Sequence, residues 1–457
     1  MSYRLLLLGM MILCAAHVYA QQGRVVVGRI DIEGDRITKR SVILREIGMH
    51  EGDIIPRDSL ELMVNRNKQR LFNLQLFNEV DQDVVDGRGD TVIWYIRVKE
   101  RWYIIPIGIL QFADRNINTW WADQGHDLRR ISAGLTVTDR NFRGALETLS
   151  ITAQAGYTQK LGLSYILPYV NKQQTHGIGI TGSMARSRQI YYTTAGNKLR
   201  FAGDLTGPVV WQQAEGGLCY IHRPGYAKKH TIQAIYKRIW VGDTIAMLNP
   251  GYFADSSNVA RFAEVNYRYE YNGVDNWNYS LRGEKLVATT VARVGMEGIR
   301  YQAFVNYEAG IFRGIGKRWY AAAISRGRLM LPQKLPYYFR NGLGTQTDYV
   351  RGYEYYVTDG YNYGLLRLDL KKELFSRTWS LPVRYFTAVP VRIYPKVFFD
   401  AGYINGPAQN GNTLNNTLMY SIGAGVDIVT LYDVKVRIEL ARNHLGQNGL
   451  YLHFNSE

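Results

Sequence analysis

From about Trp102 to Phe454 the sequence repeats with a period of two, and the two faces generated by that period are of opposite kinds. Val265, Tyr267, Tyr269 and Tyr271 fall on one face, and Glu264, Asn266, Arg268, Glu270 and Asn272 on the other. The same split recurs in Leu366, Leu368 and Leu370 against Arg367, Asp369 and Lys371, and in Val434, Val436, Ile438 and Leu440 against Lys435, Arg437 and Glu439. A soluble sandwich turns its apolar face toward a second sheet. Bulky apolar residues opposite charged ones, strand after strand, fit instead a sheet with lipid outside and water inside.

Beyond the first twenty residues no run of about 18 or more apolar residues exists, so a transmembrane helix is excluded and any membrane crossing must be a closed barrel. Mean hydropathy is −0.23, yet the chain has 34 Tyr, 45 Gly and 9 Trp against 12 Pro. Tyr and Trp, with an apolar ring and a polar tip, suit the interfacial belts of such a barrel. A large secreted β protein is the alternative that composition leaves open. The formal charge of +16 is spread along the chain, which points to anionic surfaces or a basic lumen and away from nucleic acid.

Arg4, the apolar run Leu5 to Ala16 and the small-residue exit Val18-Tyr19-Ala20 predict a secretory signal over residues 1–20. Cys14 could suggest a lipid anchor, but bulky Leu13 precedes it where such sites prefer a small residue. With the signal removed only Cys219 remains, so no intrachain disulfide can form and stability rests on burial and hydrogen bonding.

Residues 24–100 read differently from the rest. Val25 to Glu33 alternates as a strand; Thr38 is placed to cap a helix bearing Val42, Ile43 and Ile47; Pro56 and Asp58 open a second helix with Leu60, Val64 and Leu71. Strands Asn78 to Val85 and Thr91 to Lys99 follow, joined by Asp86-Gly87-Arg88-Gly89-Asp90. The expected order is β-α-α-β-β, a small α+β domain. Residues 102–457 hold roughly 350 residues, and at roughly 20 to 22 per tilted strand and connection they predict an antiparallel transmembrane barrel of about 16 strands. Breaks such as Val170-Asn171-Lys172, Asn405-Gly406-Pro407 and Asn410-Gly411-Asn412 supply the turns.

Five segments stand out along the chain: Ile30-Asp31-Ile32-Glu33-Gly34 and Leu74-Gln75-Leu76-Phe77-Asn78-Glu79-Val80 in the first domain, then Asp139-Arg140-Asn141-Phe142-Arg143-Gly144, Val350-Arg351-Gly352-Tyr353 and Phe398-Phe399-Asp400-Ala401-Gly402. With these in this order the sequence resembles the BamA-like superfamily of outer-membrane assembly and secretion proteins, built from POTRA domains and a sixteen-stranded barrel. The first two segments are similar to parts of one POTRA domain, the third resembles the family's Asn-Phe-x-Gly turn, the fourth its loop motif and the fifth its strand motif.

Parity puts Val397, Phe399, Ala401 and Tyr403 on one face and Asp400 with Lys396 on the other, lumenal one. The resemblance implies that the loop folds into the lumen and that Arg351 grips Asp400 there in a bidentate contact unavailable to Lys, with Gly352 permitting the tight backbone. The alternative is an ordinary surface loop and an unrelated lumenal carboxylate. The last segment, Gln447 to Phe454, resembles the C-terminal recognition signal of outer-membrane barrels through Gln447, Gly449, Leu452 and Phe454. Leu450, Leu452 and Phe454 are expected to face lipid, and Tyr451 and His453 the lumen. Asn455-Ser456-Glu457 departs from the usual terminal aromatic.

Gly177-Ile178-Gly179-Ile180-Thr181-Gly182 fits a dinucleotide motif but lies in an alternating strand with no helix to aim at a phosphate, and Gly310 to Gly316 fails in the same way. No HExxH, CxxC or GxSxG is present, and His126, His176, His222, His230, His444 and His453 show no ligand spacing. No catalytic residue, metal or cofactor is assigned, and a hydrolase assembled from residues distant in sequence is the residual enzyme reading.

The resemblance implies a bacterial outer-membrane protein with its POTRA domain in the periplasm, assisting insertion or translocation of unfolded or exported clients through a POTRA edge strand and the barrel seam. Outer-membrane lipid and periplasmic accessory proteins are the other expected partners. A dedicated secretion conduit or passive pore, with the POTRA domain docking one partner, and a purely structural scaffold are the alternatives.

Overall fold

The computed structural model describes residues 23–113, 120–121, 125–345, 347–380, 388–407, 410–430 and 435–455. The expected signal, residues 1–20, lies outside them, as does Val434. The chain divides into two compact units, one running to Tyr103 and including Arg143–Leu146, the other formed by Ile104–Phe142 and the chain from Glu147 onward.

The first unit contains β1 (Arg24–Glu33), α1 (Arg40–Ile47), β2 (Ile54–Pro56), α2 (Leu60–Asn73), β3 (Phe77–Asp86) and β4 (Thr91–Glu100). Its sheet runs β2-β1-β4-β3, with β1 parallel to β4. A bulge between Val27 and Arg29 keeps Val25, Val27 and Ile30 on the buried face, where they meet Val42, Ile43 and Ile47 of α1, Leu71 of α2 and Trp94 and Ile96 of β4. Trp94 is fully buried, and its indole N–H is satisfied by donating to Gln82 Oε1 at 2.9 Å.

Two local expectations are corrected. The order is β-α-β-α-β-β, because residues 54–56 pair with Arg24–Val26 as β2, a three-residue strand too short to show a period. Thr38 does not cap α1: the N-cap is Lys39, without a side-chain bond. The Thr38 hydroxyl bonds that of Tyr103 at 2.8 Å, and the Glu100 carboxylate accepts the Thr38 N–H at 2.7 Å.

The second unit is a barrel. Its strands are β5 (Ile104–Phe112), β6 (Ile131–Asp139), β7 (Thr148–Gly156), β8 (Thr158–Leu167) and β9 (His176–Ser187), then β12 (Trp211–His222), β13 (Lys228–Val241), β14 (Val259–Asn272), β15 (Gly283–Glu297) and β16 (Tyr301–Gly316). They continue with β17 (Trp319–Leu331), β18 (Asn362–Lys372), β19 (Phe375–Ser380), β20 (Ala388–Asn405), β21 (Met419–Val429), β22 (Lys435–Asn443) and β23 (Asn448–Asn455). A loop hairpin, β10 (Ile190–Ala195) with β11 (Lys198–Ala202), stands outside the wall. The wall pairings from β5 round to β23 are antiparallel, and the sheet closes between β23 and β5. Because β18 and β19 both pair with β20, one beyond the other along it, the described residues form seventeen strands in sixteen positions.

The wall divides as the period demands. Leu161, Leu218, Val265, Val397, Ile422 and Leu450 are each more than half exposed, while Glu264, Asp400, Asp427 and Glu439 are buried on the inner side. Carboxylates inside and bare aliphatic side chains outside are the surface of a membrane-spanning barrel.

Strand length varies around the wall. β22, β23, β5 and β6 have 9, 8, 9 and 9 residues, whereas β14, β15 and β16 have 14, 15 and 16. At ~3.3 Å per residue and a ~45° tilt, a nine-residue strand rises about 21 Å, short of the ~25 Å apolar band of such barrels. Among the described residues the wall is therefore low on the side where it closes, over β22, β23, β5, β6 and the nine-residue β7.

Candidate functional site: a loop latched to the inner wall

The loop between β17 and β18, residues 332–361, turns into the lumen. Among its described residues it carries no long regular element, only a 3-10 turn at Tyr337–Phe339 and a bridge between Asn341 and Asp359, so its position is set by side chains and by single backbone bonds such as Val357 N–H to the Asn197 carbonyl at 2.8 Å and Tyr361 N–H to the Asn405 carbonyl at 2.9 Å. Gly352 adopts φ +87, and a Cβ there would lie 3.3 Å from Ala441 Cβ and 3.4 Å from Ser421 Cβ. Glycine is required both for the backbone angle and for the approach to the wall.

Arg351 and Asp400 are brought together. The Arg351 backbone N–H donates to Asp400 Oδ2 at 3.0 Å, Nε to both carboxylate oxygens at 3.0 and 3.1 Å, and Nη2 to Oδ1 at 2.5 Å. The contact is wider than a pair. Nη2 also lies 2.8 Å from Asp369 Oδ1, Nη1 is 3.3 Å from Glu439 Oε1, and the guanidinium stands 3.9 Å from the centre of the Phe398 ring.

Around this residue a network extends over the wall. Arg367 Nε is 3.5 Å from Asp400, Lys371 Nζ is 3.4 Å from Asp427, and Lys396 Nζ reaches Asp427 at 2.5 Å and Glu439 at 2.7 Å. Arg351, Arg367, Lys371 and Lys396 thus balance Asp369, Asp400, Asp427 and Glu439. Arg351 is the loop's contribution, and its side chain is only 6% exposed.

The rest of the motif packs beside it. Val350 is buried with Leu343, Tyr363, Leu365, Ile404, Leu414 and Met419, and Gly402 leaves the room for it: a Cβ there would meet Val350 Cγ2 at 2.6 Å. The Tyr353 hydroxyl donates to the Tyr420 carbonyl at 3.3 Å and contacts His444. Gly352's carbonyl accepts from Asn443 Nδ2 at 2.9 Å and from the Tyr451 hydroxyl at 3.5 Å.

His453 joins the loop to β23: its ring lies 5.5 Å from Tyr349, and Nε2 is 3.4 Å from Glu354 and 3.5 Å from Glu439. Burial raises the Glu354 carboxyl above its ordinary range, with His453 opposing the shift.

In the terminal segment, Leu450 faces out and Tyr451 in, at 63% and 3% exposure. The Tyr451 ring lies over Gly449, whose Cβ would fall 2.1 Å from the hydroxyl. Leu452 is half-buried, the Gln447 amide exchanges hydrogen bonds with Tyr356 at 3.0 and 2.7 Å, and the side chain of Phe454 lies outside the described residues.

The end of the lumen away from the start of β5 holds a second cluster. Ile190 from the β10 hairpin, Ile245, Tyr252 and Phe253 from residues 242–258, and Leu335, Tyr337 and Phe339 from the long loop form a buried core with Phe262 and Phe304 of the wall. Thr194 donates to Asp359 Oδ1 at 2.7 Å beside Tyr337, and Asn197 accepts the Leu414 N–H at 3.2 Å. Burial pushes the Asp359 carboxyl up to about 6, against the Thr194 bond.

Sequence reading missed the register. Asp369, Glu439 and Asp427 join the site through pairings of β18, β20, β21 and β22, and no local motif announces them. Register also gathers three of the scattered histidines: His222 faces both His176 and His230 across strands, with ring centres 4.8 and 5.9 Å apart. No group able to hold a metal ion is found among the described residues. The glycines at 177–182 lie in β9 with no helix behind them, and Gly179 makes room for Cys219, whose Sγ would be 2.7 Å from a Cβ there.

Residues 25–101 match the POTRA family model, described as surface antigen variable number repeat. Among solved structures the chain is similar to BamA from Haemophilus ducreyi lacking POTRA domains 1–3, at TM-score 0.52 and 13% identity over 94% of this chain and 83% of that one. It is similar to CdiB from Escherichia coli at TM-score 0.56 and 13% identity, covering 94% and 75%, and to CdiB from Acinetobacter baumannii at 0.52 and 13%, covering 94% and 73%. No curated protein sequence matches the chain. At these identities the likeness is one of fold, and by fold the chain is a BamA-like POTRA-plus-barrel protein, with its POTRA domain at residues 25–101 followed by a barrel that begins at Ile104.

Proposed function

We propose that this protein sits in a bacterial outer membrane, with the POTRA domain in the periplasm, and assists insertion or translocation of other proteins there. The observation that carries the reading is where the loop takes hold. Arg351, Gly352 and Tyr353 contact β18 and β20 to β23, which fixes the C-terminal side of the closure. Parting β23 from β5 then leaves the latch intact.

β5 itself suits a strand that changes partners. Ile105, Ile107 and Ile109 stand opposite Thr138, Thr136 and Gly134 of β6, on the lumenal side, while Ile104 and Leu110 face out. Pro106 has no N–H to offer either neighbour. A short strand, apolar on both faces and lacking one donor, gains from pairing with an alternating client strand, whose folding supplies the free energy. In the POTRA sheet, β3 is a ten-residue edge open to strand addition.

The loop core across one end of the lumen disfavours a passive pore. A dedicated conduit is the second reading, supported by a polar recess of about 520 Å³ in the lumen, lined in part by Arg268, Lys285, Arg326, Arg328 and Asn306. Depletion followed by an outer-membrane proteome separates them. Loss of many barrel proteins is the result for an insertase, loss of one exported protein that for a conduit, and an unchanged proteome and secretome contradicts both.

A further inference from the structure

The outer face of the barrel is apolar over most of its height, and one recess near the end where β5 finishes breaks that pattern. Three cross-strand rows meet there. The first is Gln159, Arg186, Gln212 and Trp240 on β8, β9, β12 and β13; the second is Leu161, Met184, Ala214 and Arg238, continued by Arg261 on β14; the third is Leu163, Gly182, Gly216 and Tyr236. Leu161, Met184 and Leu163 are 67%, 68% and 53% exposed, which sets all three rows on the outer face. A cavity of about 600 Å³ is lined by Leu161, Met184, Arg186, Gln212, Ala214, Arg238 and Trp240 of the first two rows, together with Lys160 and Gln213 from the alternate positions of the same strands, and the third row lies beneath it.

Its charges are not balanced from within. Arg238 and Arg261 are direct cross-strand partners, an arrangement of like charges that opposes pairing. Glu297 takes Arg261 at 3.0 Å. Among the described residues Arg238 has no hydrogen-bond or carboxylate partner, and Arg186 has only the Gln159 side chain, at 2.7 Å. Two guanidinium groups without an anion, beside the interfacial ring of Trp240, form the upper rim.

Below the rim the wall is indented. Gly182 and Gly216 carry no side chains outward, and a Cβ on either would find its nearest neighbour 3.8 or 3.9 Å away, a backbone oxygen. With Ala214 above them, and Leu163 and Tyr236 on either side, they leave an apolar furrow under the arginines. Gly182 is the last glycine of the motif at 177–182 that no nucleotide explains.

We propose that this recess binds one anionic lipid. Arg186 and Arg238 hold its phosphate, with Gln212 and Trp240 at the headgroup level, and an acyl chain lies along Ala214, Gly182 and Gly216. The anion neutralises the arginines that the protein leaves bare, and the furrow gives the lipid a place that an unindented wall lacks. The inference rests on the membrane-barrel reading and adds a ligand to it.

The test uses the full chain folded in detergent and native mass spectrometry with three added probes: lipid A, phosphatidylglycerol and dephosphorylated lipid A. One phosphorylated lipid is retained by the unaltered protein, and whichever of the two binds more tightly identifies the source. Arg186→Gln with Arg238→Gln lowers retention roughly tenfold or more. Gly182→Leu with Gly216→Leu lowers it as well without changing charge, whereas Arg442→Gln, an exposed outward arginine of β22, leaves it unchanged. Equal retention by the arginine variant and the unaltered protein, or equal retention of dephosphorylated lipid A, overturns the proposal. If the chain forms no heat-modifiable barrel in detergent, the membrane reading itself fails and the proposal falls with it.

Discussion

Val350 occupies the space that a side chain on Gly402 would need, 2.6 Å from where its Cβ would be. The loop and strand motifs therefore fit together by shape as well as by charge. Gly402→Ala forces the loop off the wall or distorts β20, and is expected to cost about 1 to 3 kcal/mol, the usual range for overpacking. Denaturant unfolding in detergent measures the loss, and faster cleavage within residues 332–361 shows that the loop is what moves. A variant as stable as the parent would contradict the fit.

Arg351 supplies one of four cations that balance four carboxylates. Arg351→Gln leaves one sheltered carboxylate uncompensated, and Asp400→Asn leaves one sheltered cation so; each is expected to cost about 3 to 5 kcal/mol. The double variant restores the balance and should cost less than the sum, which a double-mutant cycle on unfolding free energy measures. Exchanging the two charges is not expected to rescue, because a carboxylate at 351 would stand beside Asp369 and Glu439 and a guanidinium at 400 beside Arg367. Simple additivity in the neutral cycle would contradict the network.

Asp359 makes the packing of the loop core depend on pH. Its folded carboxyl titrates at about 6, above about 3.9 for the unfolded chain, so the folded state holds the proton more tightly. The contribution of Asp359 to loop stability is therefore full below about pH 4, is lost as pH rises toward about 6, and is level above that. Hydrogen exchange of residues 190–202 and 332–361 should quicken across this window. Asp359→Asn removes the slope, and a slope that survives the substitution has another source.

On β5 the prediction is a separation of stability from function. Ile107 faces the lumen and is 36% exposed, so Ile107→Ser should shift unfolding by no more than about 0.5 kcal/mol. Client handling should nonetheless fall, measured as outer-membrane barrel content after replacing the native copy. Full complementation would show that the lumenal isoleucines play no part.

The barrel was legible because its period is simple and long. Parity alone put Lys396 and Asp400 on one lumenal face, and motif resemblance tied Arg351 to Asp400. What stayed hidden depends on which strands adjoin and in what register. Asp369 and Glu439 are 18 and 88 residues from Arg351 in the chain, and only the pairing of β18, β20, β21 and β22 makes them its neighbours. The row of His176, His222 and His230 was hidden for the same reason. The POTRA misreadings are local: three residues of β2 carry too little pattern, and Thr38 has the chemistry of a cap but spends its hydroxyl on Tyr103.

In the proposed function clients are handled where β23 meets β5. Cysteine pairs scanned across those two strands in a Cys219→Ser background, and oxidised in cells, address that step. A disulfide locking the closure is expected to abolish client handling while the barrel stays folded, and reduction to restore it. Undiminished handling with the closure locked would rule out the seam and leave the lumen as the route.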